Sequence, residues 1–290
     1  MVLALFFAIA LSPEQRAIDY LAKEVPRWFR ENQCFSCHND GDGARALYRA
    51  RKLGYAVPND ALEKTTAWLE TPSSWESNRG SPAFSDKKLA KIQFAAALVE
   101  ADGSAAARRQ AAALVASDQS PDGSWQVDTT TPAGSPVTWG TVLASYQLRE
   151  ILPTGTDARS RVDRWLEQQQ PRSIPDAAAL LLAGIRRRQL SQRLIAAQTS
   201  DGGWGPQRGV RAEAFDTGLV LLALAQVKQS KEIDDAIAKG RAFLISLQFP
   251  DGGWPATTRP SGSDSYAQHI STTAWAAMAL MATDPERNRR

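Results

Sequence analysis

The strongest constraint in this sequence is a seven-residue string that recurs where helical stretches end. Gln119-Ser-Pro-Asp-Gly123-Ser-Trp125, Gln198-Thr-Ser-Asp-Gly202-Gly-Trp204 and Gln248-Phe-Pro-Asp-Gly252-Gly-Trp254 all read Gln-x3-Gly-x-Trp. Each follows a stretch with one apolar face; in residues 236–248 that face carries Phe243, Leu244 and Leu247. The Asp-Gly pair suits a tight turn, because Gly accepts positive φ. A second, more apolar helical stretch starts 10 to 16 residues beyond each Trp, at 136–151, 214–227 and 270–283. Such repeats bury their apolar faces only by stacking on their neighbours.

Three degenerate copies extend the series: 17–32 leads to 44–53, 61–69 to 87–101, and 159–169 to 177–185. The spacing therefore predicts six helical hairpins. A helix that is apolar on most sides is buried, whereas an amphipathic one lies outside it. The second helix of each pair is the richer in Ala, Leu and Val, so six inner helices ringed by six outer ones are expected. The predicted fold is all-α, an (α/α)6 toroid forming one domain over residues 13–283, with 284–290 as a polar tail. The chain's 290 residues suit one large repetitive domain. Its 34 basic and 31 acidic residues lie too close to balance to argue for nucleic acid as a partner.

The three strings resemble the QW motifs of squalene-hopene and oxidosqualene cyclases, and Lys239-Gly240-x2-Phe243-Leu244-x3-Gln248-x3-Gly252-x-Trp254 follows the fuller pattern. The stretch 270–280, Ile-Ser-Thr-Thr-Ala-Trp-Ala-Ala-Met-Ala-Leu, resembles the inner-helix consensus of those cyclases. The resemblance implies the toroid of the terpenoid cyclase and protein prenyltransferase superfamily, and an isoprenoid or other apolar small molecule as ligand. Within the motif, Gln119, Gly123, Trp125, Gln198, Gly202, Trp204, Gln248, Gly252 and Trp254 are expected to act structurally. The Gln amide can reach carbonyls left free at helix ends. Squalene-hopene cyclases protonate an alkene with an Asp-x-Asp-Asp acid, a string this chain lacks. Asp234-Asp235 reads as a solvated outer face. The absence of that acid argues against cyclase activity. One inward acid, Asp216, opens an inner helix, as an N-cap or as a catalytic acid facing the cavity. Phe94, Trp139, Tyr146, Phe215 and Trp275 are candidates to line that cavity.

Both cysteines of the chain lie in Cys34-Phe35-Ser36-Cys37-His38, the c-type haem attachment pattern. Two thiols at this spacing can each take a haem vinyl group, and the adjacent His can reach the iron. A zinc site and a redox or disulfide pair are the alternatives, the last stapling an interaction module. The only other histidine, His269, falls in the corresponding loop of the sixth hairpin. Ring closure makes hairpins one and six neighbours, so His38 and His269 are expected to approach and to serve as metal ligands. Residues 1–11 form an apolar run ending near Ala8-Ile9-Ala10, which reads as a signal peptide with a small-x-small cleavage site. A periplasmic or secreted protein follows, with no membrane anchor once the peptide is removed. The combined expectation is an exported toroid with haem c or zinc, a redox partner or sensing role, and an apolar ligand. A terpenoid-cyclase-like enzyme is the alternative.

Overall fold

The structure, a computed structural model, describes residues 11–79, 87–127, 133–259 and 262–287. The expected signal peptide lies outside the described residues except for Leu11. Among the described residues there are twelve α-helices, in the six pairs that the repeat demands. The outer helices are α1 (Pro13–Asn32), α3 (Glu63–Leu69), α5 (Ala105–Ser117), α7 (Asp157–Gln168), α9 (Arg187–Ile195) and α11 (Lys231–Leu247). The inner helices are α2 (Ala44–Lys52), α4 (Lys87–Glu100), α6 (Thr141–Ile151), α8 (Ile174–Leu182), α10 (Ala214–Leu224) and α12 (Tyr266–Ala282).

Burial separates the two rings. Every residue of α8 and α10 is buried, whereas α7 buries only Val162 and Leu166. The inner helices contact one another in the order α2, α4, α6, α8, α10, α12, and α12 packs back on α2 and the turn before it. The ring is closed. Helices α5, α7, α9 and α11 each pack on the inner helix of the preceding hairpin, and α1 does the same on α12. Ser12, Ser104, Thr156, Ser173, Ser230 and Ser265 cap their helices through side-chain oxygens that accept an N–H from the first turn.

The QW residues bind one hairpin to the next. Gln119 Nε2 donates to Gly123 O and to Ala158 O of α7, both at 2.9 Å. Gln198 reaches Gly202 O and Ala236 O of α11, and Gln248 reaches Gly252 O and Pro13 O of α1. The third of these bridges joins the last outer helix to the first. The three tryptophans are wholly buried. Their backbone N–H groups donate to hydroxyls of the inner helices: Trp125 to Ser145, Trp204 to Thr217 and Trp254 to Thr273.

Three local features differ from the sequence expectation. Helix α6 starts at Thr141 rather than 136, because Ser135–Gly140 closes as a turn with Trp139 at φ 55°. Helix α12 starts at Tyr266, capped by Ser265, so His269 lies in its first turn and not in a loop. The inner element of hairpin one begins early, as a π-helical turn over Cys37–Gly43 that runs into α2. The small residues of Asn39-Asp40-Gly41-Asp42-Gly43 permit this: a Cβ at Gly41 would come 2.9 Å from Gln93 Cβ, and one at Gly43 would come 3.0 Å from Val25.

Candidate active site at the ring centre

The π turn carries two acids into the protein. Asp40 and Asp42 are both about 1% exposed, and burial pushes each carboxyl up to about 7. Their partners set them apart. Asp40 accepts Thr65 Oγ1 at 2.6 Å on one oxygen and Ser36 N–H at 2.8 Å on the other. It is thus a satisfied group that pins the start of the turn. Asp42 accepts Gln93 Nε2 at 3.0 Å through Oδ2. Ser271 and Trp139 also turn hydrogen-bonding groups toward this carboxyl, and the Arg45 charge acts on it. π turns inside helices recur at functional sites.

Aromatic rings pack together at the ring centre. Trp139 and Phe215 each meet Trp275 edge-to-face, with ring centroids 5.8 Å apart. Arg45, one turn beyond Asp42, lies over the Trp275 ring at 5.5 Å. Trp139 sits in the left-handed region, costly for a bulky residue, and is held there by its N–H to Ser135 O at 2.7 Å. Gln93 Oε1, Arg45 Nε and Nη1 and Trp275 Nε1 are buried without a hydrogen-bond partner. Buried polar atoms in proteins nearly always have one.

The remaining sequence candidates fall elsewhere. Phe94 packs against Trp68 and Trp75, in an aromatic group that also holds Phe35. Asp216 is fully buried in the first turn of α10 but makes no cap bond, since Glu213 takes the N-cap position. Instead Arg259 grips both its oxygens, Nη2 to Oδ1 at 2.8 Å and Nη1 to Oδ2 at 3.0 Å. Arg259 also pairs with Glu213 and donates to Gly134 O at 2.8 Å. It thereby ties the loops of hairpins three and six to α10, and Asp216 serves that tie. Asp235 pairs with Lys231 on the exposed face of α11, the solvated position the sequence suggests.

Cys34 is buried, Cys37 partly so, and they form no disulfide with each other. His38 Nδ1 lies 2.9 Å from Ser271 Oγ of α12, so hairpins one and six do meet at this motif. Burial pushes the His38 imidazole down to about 4, which keeps it neutral near pH 7. His269 turns to other partners: Nδ1 lies 3.1 Å from Trp254 O and Nε2 lies 3.9 Å from Asp264. Positions 269 and 271 are about 200° apart around a helix, so the contacts of the two histidines leave α12 from different faces. Among the described residues no three His, Cys, Asp or Glu side chains group to hold a metal ion. The four-ligand Cys2His2 arrangement is therefore not assembled here.

Asp42 is a residue that the sequence pattern does not single out. Its signal was the alternation Asp40-Gly41-Asp42-Gly43 directly before an inner helix, where two small residues let a carboxyl-bearing turn enter the core.

The comparisons agree with this architecture. A family model described as the squalene-hopene cyclase C-terminal domain matches residues 184–290. The lanosterol synthase of Aspergillus fumigatus is 26% identical over 174 residues, covering 56% of this chain and 22% of that protein. The drimenyl diphosphate synthase of Streptomyces showdoensis is 34% identical over 99 residues, 34% of this chain and 17% of that one. The chain thus spans about a fifth of the length of these curated relatives. The solved structure of the type II terpene cyclase MstE from Scytonema superposes with a TM-score of 0.59 at 14% identity, over 93% of this chain and 98% of that one. Among the described residues, no helix is long and apolar enough to cross a membrane. The chain is an all-helical α/α toroid with the fold of the type II terpene cyclases, and its carboxyl-terminal part is similar in sequence to the C-terminal domain of squalene-hopene cyclases.

Proposed function

We propose that the ring centre binds an isoprenoid and that Asp42 protonates one of its alkenes to start a cyclisation. The observation that carries this reading is a wholly buried carboxyl, pushed up to about 7, bonded to Gln93 and placed at the ring centre beside Trp139 and Arg45. An acid must hold its proton before it can give it, and burial keeps Asp42 loaded near neutral pH. In the first step the alkene π pair takes the Asp42 proton, forming a C–H bond and leaving a cation on the neighbouring carbon. The carboxylate left behind is stabilised by the Gln93 N–H and the Arg45 charge. The cation is stabilised by the electron-rich faces of Trp139, Trp275 and Phe215. A second alkene of the same chain closes the ring, and loss of a proton ends the reaction.

Purified protein incubated with squalene, farnesyl diphosphate and geranylgeranyl diphosphate should yield cyclic product by mass spectrometry. Asp42→Asn should cut the yield by about 100-fold or more, the usual scale for a lost general acid. Unchanged yield in that variant would reject Asp42 as the acid.

A second reading concerns Cys34, Cys37 and His38, and one contact favours it. Ser271 Oγ holds His38 Nδ1, the outer contact that orients an imidazole with Nε2 toward a metal. Two cysteines at this spacing followed by a histidine form a donor set that fits covalent c-type haem. Cys34 and Cys37 would hold its vinyl groups and His38 its iron, and the group would supply one-electron redox chemistry in an exported protein. Expression in the periplasm with haem-maturation factors should add the haem mass and a Soret band. A colourless protein, where a control cytochrome matures, rejects this second reading.

A further inference from the structure

Ser271 lies between Asp42 and the histidine of the Cys34–His38 motif. It is wholly buried on α12, its Oγ is 2.9 Å from His38 Nδ1, and its side chain also hydrogen-bonds Asp42. The three residues belong to the two hairpins that close the ring. They form one continuous chain from a partly exposed imidazole to a carboxyl that is 1% exposed.

Counting hydrogens gives this chain a direction. Trp139 meets Asp42 with an indole N–H, which can only donate, and Gln93 meets it with an amide N–H at 3.0 Å. Ser271 differs, because its hydroxyl holds one hydrogen and can either donate or accept. If that hydrogen goes to His38, Ser271 offers Asp42 only lone pairs and favours the protonated acid. If it goes to Asp42, a lone pair of Ser271 takes an N–H from His38 Nδ1, and the carboxylate is favoured. Burial pushes His38 down to about 4, so at neutral pH the imidazole is uncharged and one of its two nitrogens carries a hydrogen. The position of that hydrogen decides what Ser271 does. The Nδ1–H form completes three donors around the carboxyl, beside the Arg45 charge. An acid in a dry core needs such donors, because the carboxylate left after proton transfer is costly there without them.

We propose that His38 is a positioning residue for Asp42: its Nδ1–H donates to Ser271 Oγ and so commits the Ser271 hydrogen to the Asp42 carboxyl. The pair sets how readily Asp42 releases its proton, from the seam between hairpins one and six. This rests on Asp42 being the acid of the cyclisation, and it adds the residues that tune that acid. The other ionisable groups around it are Asp40 on the same turn, Arg45 with Arg49 and Glu100 beyond it, and Tyr146 of α6. They are common to every variant below and set one baseline.

Infrared titration tests the chain, since the carboxyl band lost in Asp42→Asn separates Asp42 from Asp40. In the wild type this band should titrate at about 7. His38→Gln places its amide where Nε2 stands and leaves no N–H at the Nδ1 position. It should raise the midpoint by about one pH unit or more, the scale of one hydrogen bond to a charged group. Ser271→Ala should raise it as much, and adding His38→Gln to Ser271→Ala should change nothing further. His38→Asn puts an amide N–H where Nδ1 stands and should hold the wild-type midpoint. In the wild type at about pH 9, nitrogen NMR should find the His38 hydrogen on Nδ1, a readout that needs no variant to fold. An unmoved midpoint in His38→Gln, an equal shift in His38→Asn, or a hydrogen on Nε2 overturns the proposal. Cyclic product formed by a protein whose midpoint His38→Gln does not move would sink this inference and leave Asp42 as the acid. The expected shifts in a protein that yields no cyclic product would do the reverse.

Discussion

Asp40 and Asp42 share a turn, a degree of burial and a direction of pKa change, yet their surroundings differ. Asp40 is held by Thr65 and the Ser36 N–H at the start of the turn, whereas Asp42 lies at the ring centre with Gln93, Ser271, Trp139 and the Arg45 charge around it. Burial of Asp42 has a measurable thermodynamic consequence. Its carboxyl titrates at about 7 in the native protein and near ~3.9 in an unfolded chain. Between those values the native state binds more protons than the unfolded one, so the contribution of Asp42 to stability falls as pH rises through that window. Asp42→Asn cannot ionise and escapes the loss. Its stability relative to wild type should be small at about pH 4 and grow to on the order of 4 kcal/mol by about pH 8. Denaturant melts at the two pH values check this, and a variant less stable than wild type at the higher pH would contradict it. No local pattern announces such a residue, because an Asp between glycines reads equally well as a surface turn. Its burial comes from α4 and α12 packing over the π turn.

At the scale of elements, the QW turn was legible and its function in packing was only half so. The Gln, Gly and Trp could be assigned structural roles from the repeat alone, but the partner of each is the following hairpin, which sequence distance conceals. Gly252 shows why the position admits nothing larger: at φ 102°, an added Cβ would lie 2.1 Å from Arg16 O of α1. Gly155 is also at positive φ, 80°, but an added Cβ there meets nothing within 4 Å. Gly155→Ala should therefore cost only the backbone preference, about 1 kcal/mol. Gly252→Ala must also displace α1 and should cost roughly 3 kcal/mol or more. Comparing the two variants by chemical denaturation separates conformational strain from loss of the closing contact. Equal costs would mean that the α11–α1 junction yields freely. The π turn was not legible at all. Its extra residue per turn produces no new apolar period, and the sequence expectation began the inner helix only at residue 44.

For the whole molecule, closure decides which parts meet. Glu14 of α1 and Arg241 of α11 form a partly buried ion pair at 2.7 Å, and Arg241 also donates to Leu280 O of α12. Residues more than two hundred positions apart thus share one seam. The repeat count and the contrast between apolar and amphipathic helices determined the all-α toroid, its six hairpins and the adjacency of the first and last. Those properties follow from periodic burial, which is written locally in side-chain pattern. The tertiary structure decided the chemistry of the centre. It turned His269 toward Trp254, committed Asp216 to Arg259, sent Phe94 toward Trp68, and brought Asp42, Gln93, Arg45 and Trp275 together. Each outcome depends on the rotation of a helix about its own axis and on the depth of a turn in the core. Contacts between hairpins set both, and no single repeat encodes them.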